Sequence, residues 1–391
     1  MNRLSTWVVL LGALGFAGSA TAKETIKVGA ILSITGPAAN LGGPEARTLQ
    51  MLVDEANAKG GLSGHPIELL LKDSAGSPEK AISLAKKLIE EDKVFAIIGP
   101  STSGETLKIK GIAEEGKTLL LSCAAAEAIV KPVGKWVFKT PQNDSDAARK
   151  ILDHIKKAGL TKVGLVSSNT GFGKAGKEQV EKVAKGMGLE IVANEVYEKD
   201  ATDLTAVVTK LKAAGVQAFI NWSIEPAQAI VLKNARQLGL EIPIYQSHGF
   251  GNIQYAKAAG PAAEGVIFPA GRLIVAESLP ASHPQKTVLM KYKKDYETRF
   301  KEDVSTFGGH AFDAFLMLGK VVEKAGVDRE KGREALEGVK GLVGTAGVFN
   351  FSPQDHNGLQ IDAFEMLTVK QGKFVILQES VAKQEAAAKK K

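Results

Sequence analysis

Three turns of this chain carry residues able to bind or react. One is Gly171-x-Gly173-x-x-Gly176, within VSSNTGFGKAGKEQV, which has the spacing of a dinucleotide-binding loop. Read from Gly171 it is also Gly-x4-Gly-Lys. It misses a phosphate-binding loop at Glu178, where that loop needs a Ser or Thr hydroxyl to hold magnesium. A second is IIGPSTSGETLKI, where an apolar run turns into a helical pattern through Ser101, Thr102 and Ser103. The first amides of a helix have no partner inside it, so such a turn favours an anion, and Ser103 adds a hydroxyl. The same residues also make ordinary helix caps. A third is QSHGFGN, with His248 and Phe250 after another apolar run. The remaining histidines, His65, His154, His283, His310 and His356, have no metal-ligand spacing and read as scattered surface or packing residues. No Gly-x-Ser-x-Gly occurs, and Cys123, following LLLS, reads as a buried thiol, so an activated nucleophile for a secreted hydrolase is not evident.

These turns need elements to hold them. From Ile26 onward, near-continuous apolar runs of strand length (IKVGAILS, PIELLLK, VFAIIG) alternate with helical periods, as in parallel strands buried on both faces. Ser77 followed by Pro78 marks a helix start. The rhythm restarts after FKTPQNDSD with KVGLVSS, EIVANEVY, AFINWS, IPIYQS and GVIFPA, so two similar α/β units follow one another. Long helical segments come next (about Pro284 to Phe300, Gly308 to Lys324 and Arg329 to Val339). Last are the strands GVFNFS, AFEMLTVK and KFVILQ, with a turn at Gln371-Gly372.

The chain has 391 residues, more than one core usually organises. Its opening, MNRLSTWVVLLGALGFAGSATA, has a basic residue, a short apolar run and Ala20-x-Ala22, the pattern of a cleaved secretory signal peptide over 1–22. Beyond it, 49 basic residues face 43 acidic ones, and the last ten residues carry a net +3 of that excess. The body is close to charge balance and lacks a basic stripe with interleaved aromatics, which argues against nucleic acid. The tail 379–391 reads as a disordered or tag-like end.

The Gly36-Pro37 turn, ANAKGG at Ala56 to Gly61, Asp73, Ile98-Gly99 before a Ser-rich turn, Gly171-Phe172-Gly173, and a Gly-rich turn after IYQS occur together and in order. In these features the chain resembles type I periplasmic solute-binding proteins of the branched-chain amino acid transporter class, from Ile26 to about Leu377. The resemblance implies two doubly wound parallel-sheet lobes joined by a three-crossing hinge and closing on a small molecule. Crossings are expected near Thr140 to Gln142, Gly271 to Leu273 and Val343 to Gly347. The N-terminal lobe is then 24–141 plus 272–342, and the C-terminal lobe 142–271 plus 343–378.

The resemblance places the ligand carboxylate at Ser103, beside Ser101 and Thr102, with a wall of backbone groups over Ala124, Ala125 and Ala126. Amino acid binders carry a Ser or Thr hydroxyl where this chain has Ala126, and a carboxylate for the ligand ammonium where it has His248. Burying an ammonium without its charged partner costs on the order of 2–5 kcal/mol. Positions that are tyrosine in the family are Leu41, Phe172 and Ile224, and Trp222 and Phe250 lie beside the cleft turns. An anion turn, no cation cage and an apolar wall suit a carboxylate with an apolar or aromatic body, such as an aromatic or aryl 2-oxo acid. The expectation is a periplasmic, monomeric binding component that hands this ligand to the membrane permease of an ABC transporter. It performs no chemistry and takes no nucleotide, cofactor or metal. The alternatives are a branched-chain amino acid or amide/urea binding protein, or a sensor.

Overall fold

The computed structural model describes residues 23–377; the expected leader and tail lie outside the described residues. The apolar run at the start forms β1 (Ile26–Leu32), buried at all but one position. A strand buried on both faces needs neighbours on both edges and helices above and below. β2 (Ile67–Asp73) flanks it on one side; β3 (Ala96–Ile98), β4 (Leu119–Ser122) and β5 (Val137–Lys139) follow on the other. All are parallel, in the order β2-β1-β3-β4-β5. The intervening helices are α1 (Ala39–Ala58), α2 (Pro78–Lys86) and α3 (Ser103–Glu115). Ser77 caps α2, accepting from the Lys80 N–H at 3.3 Å with Pro78 in the first turn, as its sequence predicts.

The winding then repeats. β6 (Lys162–Ser168), β7 (Glu190–Tyr197), β8 (Ala218–Trp222), β9 (Ile244–Gln246) and β10 (Ile267–Ala270) pair in parallel in the order β7-β6-β8-β9-β10, the same permutation. α4 (Asp144–Lys157) leads into this unit, and α5 (Gly171–Met187), α6 (Thr205–Ala213), α7 (Ala227–Gln237) and α8 (Ile253–Ala259) wind through it. After it come α9 (Lys286–Phe300), α10 (Thr306–Ala325), α11 (Arg329–Glu337) and a small ribbon of β11 (Leu342–Val343) and β12 (Val348–Phe349). β13 (Glu365–Lys370) extends the second sheet antiparallel to β10, and β14 (Lys373–Ile376) pairs antiparallel to β13 at its edge. They are joined by a two-residue turn with Gln371 and Gly372 at φ 52° and 71°.

The protein is therefore an α/β molecule of two lobes, each built on its own sheet. α1 and α10 cover one face of the first sheet, burying Leu49, Ala311 and Leu318 against Val28 and Ile98. α2 and α3 cover the other, with Ala81 and Ile109 against Ile97 and Leu120. Beyond Val343–Gly347, where the third crossing is expected, the chain still packs on the first sheet. Ala346, Phe349, Phe351, Leu359 and Ala363 are all buried with Val28 and Phe138 against the first sheet, and Phe364 begins the packing into the second. The reason is apolar. Phe351 stacks on Phe349 at 5.5 Å and meets Phe138 edge-on at 5.7 Å, and a segment carrying those rings stays with the core that covers them.

Candidate functional site

In open α/β sheets, ligands bind beyond the carboxyl ends of the strands. The loops at those ends face one another across the cleft: Ser101 and Ser103 after β3, Ala124 and Ala125 after β4, Phe172 after β6, Ile224 after β8 and His248 after β9. With Leu41 of α1 they line one pocket, which holds only about 20 Å³ of free space as the lobes stand. Leu41, Ala125 and Phe307 from the first lobe share an apolar cluster with Phe172 and Ile224 of the second. The lobes are thus drawn together over the pocket, and a ring-sized ligand enters only when they part.

The serine turn divides its labour. Thr102 caps α3, its hydroxyl oxygen accepting from the Glu105 N–H at 3.3 Å while its O–H is given to the Glu105 carboxylate. Ser101 accepts from the Ser33 N–H at 3.0 Å and donates to Glu45 in a short hydrogen bond. Ser103, in the first turn of α3, accepts from the Ala126 N–H at 3.2 Å, which leaves its own O–H to donate into the pocket. The nearby start of α3 adds helix-end amides and the positive end of its dipole. Beneath the floor, the buried Lys139 ammonium donates to the carbonyls of Ala125, Pro141 and Gln142 at 2.9–3.2 Å. Burial lowers its pKa, with Asp144 opposing part of that effect.

Among the described residues, no Asp or Glu lines this pocket. Two buried acids stand beside it, Glu225, which accepts from the Ile224 N–H at 3.2 Å and lines the wider hollow at the cleft mouth, and Glu45, behind Ser101. Burial raises the pKa of Glu45 from 4.5 to about 8, with Ser101 lowering it and Glu105 raising it, so Glu45 is held neutral at neutral pH. His248 is fully enclosed: its ring lies edge-on to Phe172, Trp222 and Phe364 at centroid distances of 5.4–5.6 Å. Burial first, then Lys139 and His310, push its pKa down to about 3, so the imidazole is neutral. Hydroxyl, imidazole and amide donors in a pocket without a carboxylate can hold an anionic head group and offer nothing of opposite charge to an ammonium.

A family model described as periplasmic binding protein matches residues 25–373. The chain belongs to the periplasmic binding protein family. It is 26% identical over 341 residues to the leucine-, isoleucine-, valine-, threonine- and alanine-binding protein of Pseudomonas aeruginosa, covering 86% of this chain and 88% of that one. It is 26% identical to the Leu/Ile/Val-binding protein BraC3 of Rhizobium johnstonii over 94% of this chain and 97% of that one. Among solved structures, an extracellular ligand-binding receptor from Rhodopseudomonas palustris superposes with TM-score 0.83 at 31% identity, over 91% of this chain and 99% of that one. The branched-chain amino acid transporter substrate-binding protein LivJ of Streptococcus pneumoniae, in complex with isoleucine, superposes with TM-score 0.79 at 26% identity, over 90% and 97%.

Within this periplasmic binding protein, several residues fall outside the pocket their sequence suggests. Ala126 is fully buried and spends its N–H on Ser103. Trp222 stands behind Phe172 and His248, under α5. Phe250 packs with Tyr255, Phe268 and Phe374 in the second lobe's core. Thr102 faces a wider hollow at the cleft mouth, which shares Phe172 and Ile224 with the pocket. Conversely Cys123, Pro141, Gly249, Phe307 and His310 line the pocket without having been expected to. His310, read from the sequence as a scattered residue, is brought there because α10 runs along α1.

The glycine spacing has a packing origin. A Cβ on Gly171 would lie 2.6 Å from Gly104 Cα across the cleft, one on Gly173 2.0 Å from the Ser168 carbonyl oxygen, and one on Gly176 1.9 Å from Trp222 Nε1. Gly171 allows the starts of α3 and α5 to meet; the other two seat α5 on its own lobe.

Proposed function

We propose that this periplasmic binding protein captures a small carboxylate with an apolar or aromatic body, such as an aromatic or aryl 2-oxo acid, and delivers it to a membrane permease without chemistry. The observation that carries this reading is the pocket lining: Ser103, the start of α3 and two imidazoles, set in apolar walls, with no carboxylate to pair an ammonium. The Lys139 ammonium below adds a favourable potential for an anion. The first lobe in this reading is 24–141 plus 272–363, and the second 142–271 plus 364–377, so that the cleft opens about the crossings. Periplasmic residence follows from family membership and from the expected leader. No described helix is long and apolar enough to cross a membrane.

A second reading, capture of a branched-chain amino acid, is supported by the ligands named for the Pseudomonas and Streptococcus proteins. A thermal-shift screen separates the two. A ligand present at about 100 times its dissociation constant adds about 2.7 kcal/mol of stability. Aromatic monocarboxylates should raise the melting temperature, and leucine, isoleucine and valine should not; the reverse pattern favours the second reading.

A further inference from the structure

His248 and His310 reach the pocket from opposite lobes, His248 from the loop after β9 and His310 from α10, which packs on α1. Both are buried, with 7% and 6% of their surface exposed. Both ring nitrogens of His248, and Nδ1 of His310, are buried and find no hydrogen-bond partner in the protein. A buried polar atom left unpaired costs free energy comparable to a lost hydrogen bond, so such atoms in a ligand pocket mark where a ligand's polar atoms belong. Another buried histidine, His356, shows the contrast: its Nδ1 meets the Val137 carbonyl at 2.9 Å and its Nε2 the Glu337 carboxylate at 3.3 Å. The surroundings of the pair also exclude a structural ion pair, since no lining residue carries a charge. Burial keeps both rings neutral, and a neutral imidazole has one N–H donor and one acceptor nitrogen.

We propose that His248 and His310 form a two-imidazole clamp that binds a second oxygen of the ligand, a hydroxyl or keto group, and ties the two lobes together through it. Resting on the carboxylate reading above, this narrows the ligand to an oxygenated acid: the carboxylate goes to Ser103 and the start of α3, and the extra oxygen to the clamp. A hydroxyl can donate to one ring and accept from the other; a keto oxygen accepts from both.

The test uses matched acids: benzoate against 4-hydroxybenzoate, and 3-phenylpropanoate against phenylpyruvate, titrated by calorimetry into the mature protein. In at least one pair the oxygenated member should bind about tenfold more tightly. That preference should fall below about threefold in both His248→Leu and His310→Leu, whatever either change does to the affinity for the plain acid. Equal binding within both pairs, or a preference that survives in His310→Leu, overturns the clamp and leaves the carboxylate reading standing. Binding of none of the four acids overturns both. If a leucine variant fails to fold, 15N-histidine spectra of the unaltered protein decide. The His248 and His310 ring resonances should move with the preferred oxygenated acid and far less with its plain partner, and equal movement rejects the clamp.

Discussion

Ser103 is the residue at which the carboxylate reading is most exposed. Its hydroxyl accepts from the Ala126 N–H, so the proton is directed elsewhere, and removing it should weaken any carboxylate that binds. A hydrogen bond to a charged group contributes roughly 1.5–3 kcal/mol. Ser103→Ala should therefore raise the dissociation constant about 10- to 150-fold, and should also lower the melting temperature because the buried Ala126 N–H loses its acceptor; unchanged affinity would reduce Ser103 to a support for the Ala126 loop. Glu45 makes a separate prediction about pH. Its folded pKa, about 8, lies above its ordinary 4.5, so the folded state holds the proton more tightly and loses stability as pH rises between those values. The slope is at most about 1.4 kcal/mol per pH unit. Asp313 adds the same sign and the buried imidazoles the opposite, so comparison with a variant isolates the Glu45 part. Urea unfolding should show Glu45→Gln gaining on the parent from pH 5 to pH 7.5; parallel curves would mean that Glu45 is ionised in the fold. At this scale Ser101, Thr102 and Ser103 were legible as a group, because Ser and Thr before a helical run either cap or bind. Which of them does which was not, because the answer lies with Glu45 and Ser33, 56 and 68 residues away in sequence.

At the scale of elements, α5 carries two glycines with different duties. Gly176→Ala drives a methyl into the Trp222 indole and should destabilise the fold by about 1–3 kcal/mol in a denaturant titration. Gly171→Ala leaves α5 seated but meets Gly104 across the cleft, so stability should stay within about 0.5 kcal/mol while ligand affinity falls at least tenfold. Equal effects of the two substitutions on stability would contradict this division. The strands and helices themselves were largely legible, since their apolar periodicity is dictated by burial on two faces or on one. Two things were hidden. Phe250 and Trp222 sit next to cleft turns in sequence, yet strand alternation sends Trp222 behind the pocket wall and the turn after β9 sends Phe250 into the core. Phe307 and His310 come from a helix that begins some 60 residues after the nearest cleft turn, and no local pattern announces that α10 lies along α1.

For the whole molecule, two copies of one strand order are set face to face with their carboxyl ends inward, and the chain at Pro141 and Gln142 is tied to the segment that packs on the first sheet. Gln142 donates to the Ala346 carbonyl at 2.7 Å and Asn357 to the Pro141 carbonyl at 2.7 Å. Asp313, on the same helix as Phe307 and His310, accepts from the Thr345 and Ala346 N–H groups at 2.6 and 2.8 Å. The repeat of α/β units was legible because a second unit restates the hydrophobic rhythm of the first. The point where the chain returns to the second sheet was not, because GVFNFS has the alternation of a strand and only the aromatic cluster of the first lobe shows where it belongs. The central claim, that this cleft accepts a negative head group and cannot neutralise a positive one, is tested most directly by calorimetric titration of the mature protein with aromatic monocarboxylates and with leucine side by side. At least one aromatic acid should bind at micromolar concentration or below while leucine gives no heat of binding. Tight leucine binding, with every acid lacking an ammonium group silent, would contradict the claim outright.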